Sequence, residues 1–146
     1  MTEERRLTAS VVVVTKDRPE LLDDLLESLT RQSLPPDEVV VVDNNSTASY
    51  KEVFRKYRDR LSLKTVVEKT PGIAAARNRG IRESTGEIVL FTDDDCVVDP
   101  RWVDNMVSPF YRDPHIGAVG GETTWLNAGS SLIQEHYRAD REALKQ

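Results

Sequence analysis

The chain has 146 residues, which is enough for one domain with its own hydrophobic core. Its 20 Lys and Arg against 25 Asp and Glu give a net charge of −5, so there is no basic excess to indicate nucleic acid as the main partner. A single cysteine, Cys96, excludes an internal disulfide, and no apolar run reaches the ~18 residues of a membrane span. We therefore expect a cytoplasmic protein, with peripheral attachment at the inner face of a membrane left open.

Short apolar runs alternate with helical patterns along the chain. Valine-rich runs are typical of strands buried on both faces of a parallel sheet, and they predict strands at 10–15, 39–42, 63–68, 88–92 and 116–119. Helices are predicted at 19–32, 48–60, 73–84 and 100–111, followed by a weaker strand at 123–126 and a helix at 131–145. Strict alternation predicts a single α/β domain over 1–146, with a Rossmann-like, mostly parallel sheet flanked by helices.

Polar residues follow each of the first four predicted strands, at the edge where parallel strands have their carboxyl ends. Ligands bind outside this edge in open α/β sheets, because the loops converge there. The four segments are Thr15-Lys16-Asp17-Arg18, Asp43-Asn44-Asn45-Ser46, Thr70-Pro71-Gly72 and Asp93-Asp94-Asp95. Each segment alone also fits a helix cap or a turn. Four of them at one edge favour a binding site.

The three consecutive aspartates are the most informative of these segments. Their mutual repulsion at the end of an apolar strand is relieved by a divalent cation, and ligands that are all oxygen suit Mg²⁺ or Mn²⁺. Such ions usually share their coordination shell with substrate phosphates. The triplet therefore predicts a metal and diphosphate site, and the alternative is a solvated acidic turn before a helix that starts at Asp99-Pro100.

Taken together, four segments of the chain resemble the inverting glycosyltransferases of family 2, which have the GT-A fold. They are residues 10–19, 41–46, 71–80 and 91–95, which read SVVVVTKDRP, VVDNNS, PGIAAARNRG and FTDDD. Their order and spacing match the family over about residues 8–121, and we interpret 122–146 as a C-terminal extension. The resemblance implies a GT-A nucleotide-sugar-binding domain whose donor is a nucleoside diphosphate sugar, with a uridine diphosphate sugar favoured.

The resemblance also implies which residues contact the nucleotide base. The loop that contains Thr15 and Asp17 is expected to lie against the base. Asp43 is expected to accept a hydrogen bond from the base edge, as the ring N–H of uracil would offer. An alternative role for Asp43 is a helix cap, which would leave the base without this contact.

Contacts to the ribose, the diphosphate and the metal are implied for the third and fourth segments. Arg77 is expected to approach the base or the diphosphate, and Arg79 lies on a different face of the same helix, so at most one of the two points into the cleft. Asp94 is expected to contact the ribose. Asp95, assisted by Asp93, is expected to hold Mn²⁺ or Mg²⁺ on the diphosphate.

The general base that inverting transfer requires is not identified. In the family this carboxylate lies in the acceptor half, beyond the metal motif, and no segment after Asp95 forms the corresponding motif; Glu122 and Glu135 are the candidates for the base. We therefore expect the donor-binding half of a transferase without its acceptor half, with an unknown acceptor and little activity on its own. An uncovered apolar patch at Trp125 and Leu126 would then favour self-association.

Two other classes of protein remain as alternatives. The pattern Asp93-x-Asp95-x-Val97 also fits the aspartyl-nucleophile motif of haloacid-dehalogenase-like phosphatases, but there it follows the first strand rather than the fourth. The second alternative is a non-catalytic nucleotide-sugar-binding or interaction module, which the missing base supports. Because Gly-x-Gly-x-x-Gly and Walker loops are both absent from the sequence, dinucleotide oxidoreductases and P-loop NTPases are poor candidates.

Overall fold

A computed structural model of the chain describes residues 5–124. Within this range four strands alternate with four helices. The strands are β1 (Ala9–Thr15), β2 (Glu38–Asp43), β3 (Leu63–Val67) and β4 (Ile88–Asp93), and the helices are α1 (Pro19–Leu29), α2 (Lys51–Tyr57), α3 (Ile73–Glu83) and α4 (Trp102–Arg112). Each corresponds to an element that the sequence predicts. The Rossmann-like α/β class is therefore confirmed.

The sheet has the strand order β3-β2-β1-β4, and all three neighbouring pairs are parallel. Central β1 sets the alignment, because Thr15 is in register with Asp43 of β2 and Val14 is in register with Asp93 of β4. The carboxyl ends of these three strands therefore lie side by side. This alignment brings three of the polar segments to one edge.

The two faces of the sheet are covered by different helices. Val11 and Val13 belong to the larger core, with four of the five leucines of α1 and the valines of α4, and Val12 packs on the other face with Ala76 of α3. Helix α3 lies so close to β1 that a Cβ added at Gly80 would be 2.3 Å from Cγ1 of Val12. The absence of a side chain at Gly80 therefore allows α3 to pack closely against the sheet.

The predicted fifth strand at 116–119 is wrong. The structure gives this segment no strand, and in the described part of the chain β4 pairs only with β1. A strand needs a partner for its backbone groups, and the four-residue run contains Gly117, which weakens an extended segment. Residues 123 and 124 of the predicted strand at 123–126 are also irregular.

Helix α2 starts later than the sequence predicts, at Lys51 rather than at residue 48. The first helical hydrogen bond runs from the Phe54 N–H to the Tyr50 carbonyl at 2.9 Å. The preceding N–H groups of Thr47 and Ala48 instead donate to Oδ1 of Asp17 in a loop. Helix α4 starts at Trp102 rather than at residue 100, since Asp99 forms a turn there and accepts the Arg101 N–H through its Oδ1.

Several predictions fall outside the described residues, namely the helix at 131–145, the end of the strand at 123–126 and the apolar patch at Trp125 and Leu126. Between residues 5 and 124, no helix is long and apolar enough to cross a membrane. The single-domain boundary at 1–146 stays a prediction.

Candidate functional site

A cleft of about 290 Å³ opens at the carboxyl edge of the sheet, next to the ends of β1 and β4. Its lining comes from the ends of β1 and β4, from the loops after β1, β2 and β4, and from the first residue of α3. The lining residues are Val14, Thr15, Lys16, Arg18, Asn44, Ile73, Asp93, Asp94 and Asp95. The cleft therefore brings together Thr15 and the three aspartates, as the resemblance implies.

A wider groove of about 760 Å³ lies between the first turns of α1 and α2. Both basic side chains of the groove are already engaged, Lys56 with Asp23 and Arg55 with Glu52. Paired surface charges offer a ligand little that water does not already offer. Size alone therefore does not make this groove the better candidate, and the smaller cleft carries the concentrated carboxylates.

The three aspartates form a tight turn, called here the aspartate turn (residues 93–95). The Cys96 N–H donates to the carbonyl oxygen of Asp93 at 3.2 Å and closes the turn. The side chains then alternate in burial, since Asp93 is 60% exposed, Asp94 is 7% exposed and Asp95 is 54% exposed. Asp93 and Asp95 are therefore accessible to a ligand, and Asp94 is directed into the protein.

The buried Asp94 carboxylate has both oxygen atoms engaged. Oδ2 accepts a hydrogen bond from Oγ1 of Thr15 at 2.8 Å, and Oδ1 accepts one from Nη1 of Arg18 at 3.2 Å. Burial raises the pKa of Asp94 above its usual value, although Thr15 and Arg18 act in the opposite direction. Asp94 therefore organises the loop after β1, and its implied contact with a ribose stays a prediction.

A tyrosine that the sequence analysis did not identify completes this network. The hydroxyl of Tyr50, which is buried, lies 2.9 Å from Oγ1 of Thr15 and accepts the backbone N–H of Arg18 at 3.0 Å. Its ring stacks on Phe54 at a centroid distance of 5.6 Å. Tyr50 therefore ties the start of α2 to the loop that carries Thr15 and Arg18.

Two arginines contact the aspartate turn, one from the loop after β1 and one from α3. Nη2 of Arg77 lies 3.2 Å from Oδ1 of Asp93, and Nη1 of Arg18 lies 3.6 Å from Oδ2 of Asp95. Arg79 instead pairs with Glu83 on its own helix. Of the two arginines that the sequence left as alternatives, Arg77 is thus the one directed to the cleft, and Arg18 is an addition that the structure reveals.

The structure places the Asp17 carboxylate outside the cleft lining, in a clasp between two loops. Its Oδ1 accepts hydrogen bonds from the N–H groups of Thr47 and Ala48 at 2.7 and 2.9 Å, and its own N–H donates to Oγ of Ser46 at 2.9 Å. The N–H groups of Ala48 and Thr47 hold the pKa of Asp17 below its usual value. Asp17 therefore shapes the loop after β2, and direct contact with a base stays a prediction.

Asp43 and Asn44 have different structural roles in the loop after β2. Oδ1 of Asp43 accepts the Ser46 N–H at 2.9 Å in a local turn, so Asp43 does not cap α2. The buried Asn44 amide joins this loop to the next one, because its Nδ2 donates to the carbonyls of Glu68 and Thr70 at 2.9 and 2.8 Å. Asn44 was missed because an Asx residue in a loop gives no sequence signal for a long-range bond.

The residues present fit a divalent cation only in a particular way. Within residues 5–124, no three or more His, Cys, Asp or Glu side chains are grouped so as to hold a metal. Mg²⁺ is usually bound through one or two carboxylates, and waters and substrate phosphates complete its shell. Asp93 and Asp95 meet that lower requirement. The site therefore fits a cation shared with a diphosphate rather than one held by the protein alone.

The glycosyl transferase family 2 domain matches residues 10–129 of the chain, a range that includes every segment of the cleft. The chain belongs to glycosyl transferase family 2. The resemblance seen in the sequence is thereby confirmed. The match argues against the dehalogenase-like phosphatases, whose aspartate motif follows the first strand, whereas here it follows the fourth strand.

Two curated relatives illustrate how much of a family 2 protein the chain represents. Validoxylamine A glucosyltransferase of Streptomyces hygroscopicus subsp. limoneus is 38% identical over 103 residues, which are 68% of this chain and 23% of that protein. The O-antigen biosynthesis protein RfbC of Myxococcus xanthus is 39% identical over 116 residues, which are 76% of this chain and 9% of that protein. The family 2 chain thus spans less than a quarter of the length of these relatives.

Two solved structures share the fold of this family 2 chain. The mannosyltransferase PcManGT of Pyrobaculum calidifontis, in complex with GDP-Man and Mn²⁺, has a TM-score of 0.70 at 33% identity and covers 78% of this chain and 35% of its own. S. aureus TarS 1-349 in complex with UDP-GlcNAc has a TM-score of 0.64 at 32% identity and covers 73% of this chain and 32% of its own. The GT-A fold class is therefore confirmed.

Proposed function

We propose that the cleft binds the diphosphate of a nucleotide sugar together with Mn²⁺ or Mg²⁺, and that the sugar is transferred to an acceptor with inversion. The single observation that carries the proposal is the pair of exposed carboxylates, Asp93 and Asp95, with an arginine beside each. The complexes of PcManGT with GDP-Man and of TarS with UDP-GlcNAc support a nucleoside diphosphate sugar as donor. The resemblance favours a uridine diphosphate sugar.

The charges of the cleft suit the bond that such a transfer breaks. When the bond between the anomeric carbon and the phosphate oxygen opens, negative charge develops on the departing diphosphate. A cation held by Asp93 and Asp95 supplies Lewis-acid stabilisation of that charge when bound. Arg77 lies next to Asp93 and can donate hydrogen bonds to phosphate oxygens, since its guanidinium is half-exposed and carries several N–H donors.

The loops after β1 and β2 would hold the nucleoside. Thr15 and Lys16 line the cleft, and Nζ of Lys16 donates to the carbonyl of Asn44 at 3.3 Å, which joins the two loops. Asp43 lies at the end of β2 and uses Oδ1 for its local turn. The second oxygen of its carboxylate is the proposed acceptor for a base N–H. Asp17 holds the loop after β2 through its hydrogen bonds with the Thr47 and Ala48 N–H groups.

Calorimetric titration with UDP and with GDP, in Mn²⁺ and in excess chelator, tests the proposal. UDP is expected to bind in Mn²⁺ and to lose affinity by about tenfold or more in chelator, a change of ~1.4 kcal/mol. Asp95→Asn should show the same loss in Mn²⁺. The matched control is Asp59→Asn, which removes an equal charge from a carboxylate that is 86% exposed and outside the cleft lining.

Equal UDP affinity with and without Mn²⁺ would contradict the metal part of the proposal. Absence of binding to any nucleoside diphosphate would contradict the donor site itself. Tight binding without any sugar transfer to a panel of acceptors would instead favour the non-catalytic module.

A further inference from the structure

Arg18 contacts two carboxylates of the aspartate turn. Its Nη1 lies 3.2 Å from Oδ1 of Asp94 and 3.6 Å from Oδ2 of Asp95. The backbone of Arg18 is fixed as well, because its N–H donates to the Tyr50 hydroxyl at 3.0 Å and Pro19 follows it at the start of α1. The guanidinium is therefore a cation attached to a rigid part of the loop.

The two contacts of Arg18 differ in strength for a physical reason. Asp94 is 7% exposed, so its attraction to a guanidinium is poorly screened by water. Asp95 is 54% exposed and its distance to Arg18 is longer than a hydrogen bond, so this contact is weak and easily exchanged. Arg18 is thus anchored on Asp94 and can leave Asp95 without losing its anchor.

The cleft as a whole is close to charge balance without a ligand. Three carboxyl groups in the aspartate turn are matched by three cations, Lys16, Arg18 and Arg77, which line the cleft or pair directly with that turn. A divalent cation that binds alone would be repelled by these three positive charges. A divalent cation added with a diphosphate would leave the balance nearly unchanged.

We propose that Arg18 is an internal counter-ion that competes with a divalent cation for Asp95 and turns to the diphosphate when the cation binds. This inference rests on the proposed function, since it concerns the same cleft. It makes Arg18 a positioning residue for Asp94 and a competitor at Asp95. Metal binding without nucleotide is then weak because the protein already supplies a cation, and metal and diphosphate bind together.

Arg18→Gln tests the inference through Mn²⁺ binding measured by electron paramagnetic resonance in the absence of nucleotide. Removal of the competing cation should tighten Mn²⁺ binding roughly two- to fivefold, which is the scale of an exposed ion pair. UDP binding in saturating Mn²⁺ should weaken in the same variant. The matched control is Arg31→Gln, which removes a 70% exposed arginine that lies just after the end of α1 and pairs with Glu27.

Arg18→Lys separates charge from shape. It keeps a cation near Asp95, so its Mn²⁺ affinity should stay close to that of the unaltered protein, and circular dichroism checks that each variant is folded. Mn²⁺ binding that is unchanged or weaker in folded Arg18→Gln overturns the inference. A higher UDP affinity of Arg18→Gln in saturating Mn²⁺ also overturns it.

Failure of the inference and failure of the proposed function give different results. Mn²⁺-dependent UDP binding by the unaltered chain, without a gain of Mn²⁺ affinity in Arg18→Gln, overturns the counter-ion role and leaves the donor site standing. No UDP binding by the unaltered chain overturns the proposed function, and a gain of Mn²⁺ affinity in Arg18→Gln would still support competition at Asp95.

Discussion

Replacing Asn44 with alanine tests how the loops of the cleft are held together. The buried side-chain amide makes three hydrogen bonds to the loop after β3, two through Nδ2 to carbonyls and one in which Oδ1 accepts the Gly72 N–H at 3.1 Å. Gly72 has a φ of 113°, a conformation that favours glycine, and it directly precedes α3. Asn44→Ala therefore removes the contacts that set where α3 begins.

The magnitude follows from the number of bonds lost. A typical intramolecular hydrogen bond contributes about 1 kcal/mol net, and three of them give a loss of roughly 2–4 kcal/mol in the free energy of unfolding. With a urea slope of about 2 kcal/mol/M, the unfolding midpoint should fall by roughly 1–2 M. UDP binding in Mn²⁺ should also weaken, because Ile73 lines the cleft from the first residue of α3.

Asn78→Ala is the matched control for this experiment. Asn78 is exposed on α3, and its replacement should change the free energy of unfolding by no more than about 0.5 kcal/mol, as is usual for surface sites. If Asn44→Ala proves as mild as Asn78→Ala in urea titrations, the hydrogen bonds of Asn44 do not hold the two loops together. The account of how the cleft is shaped would then be wrong.

Three further changes have defined outcomes. Tyr50→Phe keeps the ring but removes a buried hydroxyl with two hydrogen bonds, and urea titration should show a loss of about 1–3 kcal/mol. Gly80→Ala should lose about 1–3 kcal/mol by overpacking, despite better helix propensity, and Val12→Ala should restore part of that loss. Asp17 has a lowered pKa, so its stabilising contribution is present above its unfolded value near 3.8 and is lost as the pH falls through the lower folded value. The stability difference between the unaltered chain and Asp17→Asn should therefore shrink as the pH falls below about 4; a constant difference would contradict the clasp.

The sequence predicts the sheet well because its signals are local. Valine runs such as 10–15 show burial on both faces, and leucine spacing shows the face of α1, so element type and order follow without any knowledge of contacts. The prediction of a strand at 116–119 is wrong because a strand needs a neighbouring strand, which an apolar run by itself cannot show. The start of α2 is not predicted correctly because the loop before it is shaped by hydrogen bonds from the Thr47 and Ala48 N–H groups to Asp17, 30 and 31 positions away, which a local pattern cannot show.

The candidate site is predictable in location but not in detail. Parallel strands place their carboxyl ends together, so Thr15, Asp43 and the aspartate turn are correctly expected at one edge. The sequence does not show which of the three aspartates is buried, because burial depends on how the turn closes onto Thr15 and Arg18. Helix geometry limits the cleft to one of two arginines, and only the packing of α3 on the sheet selects Arg77.

Paramagnetic line broadening by Mn²⁺ in the presence of UDP tests the central claim most directly, because it locates the metal and diphosphate site without requiring transfer activity. The broadening falls off steeply with distance, and the six residues of β4 span ~20 Å along the strand, from its amino end to its carboxyl end. The account predicts that the backbone amides of Asp95, Cys96 and Lys16 broaden first, while those of Thr8 and Glu87 at the opposite edge stay sharp. Broadening centred on Thr8 and Glu87, or on the groove between α1 and α2, would contradict it.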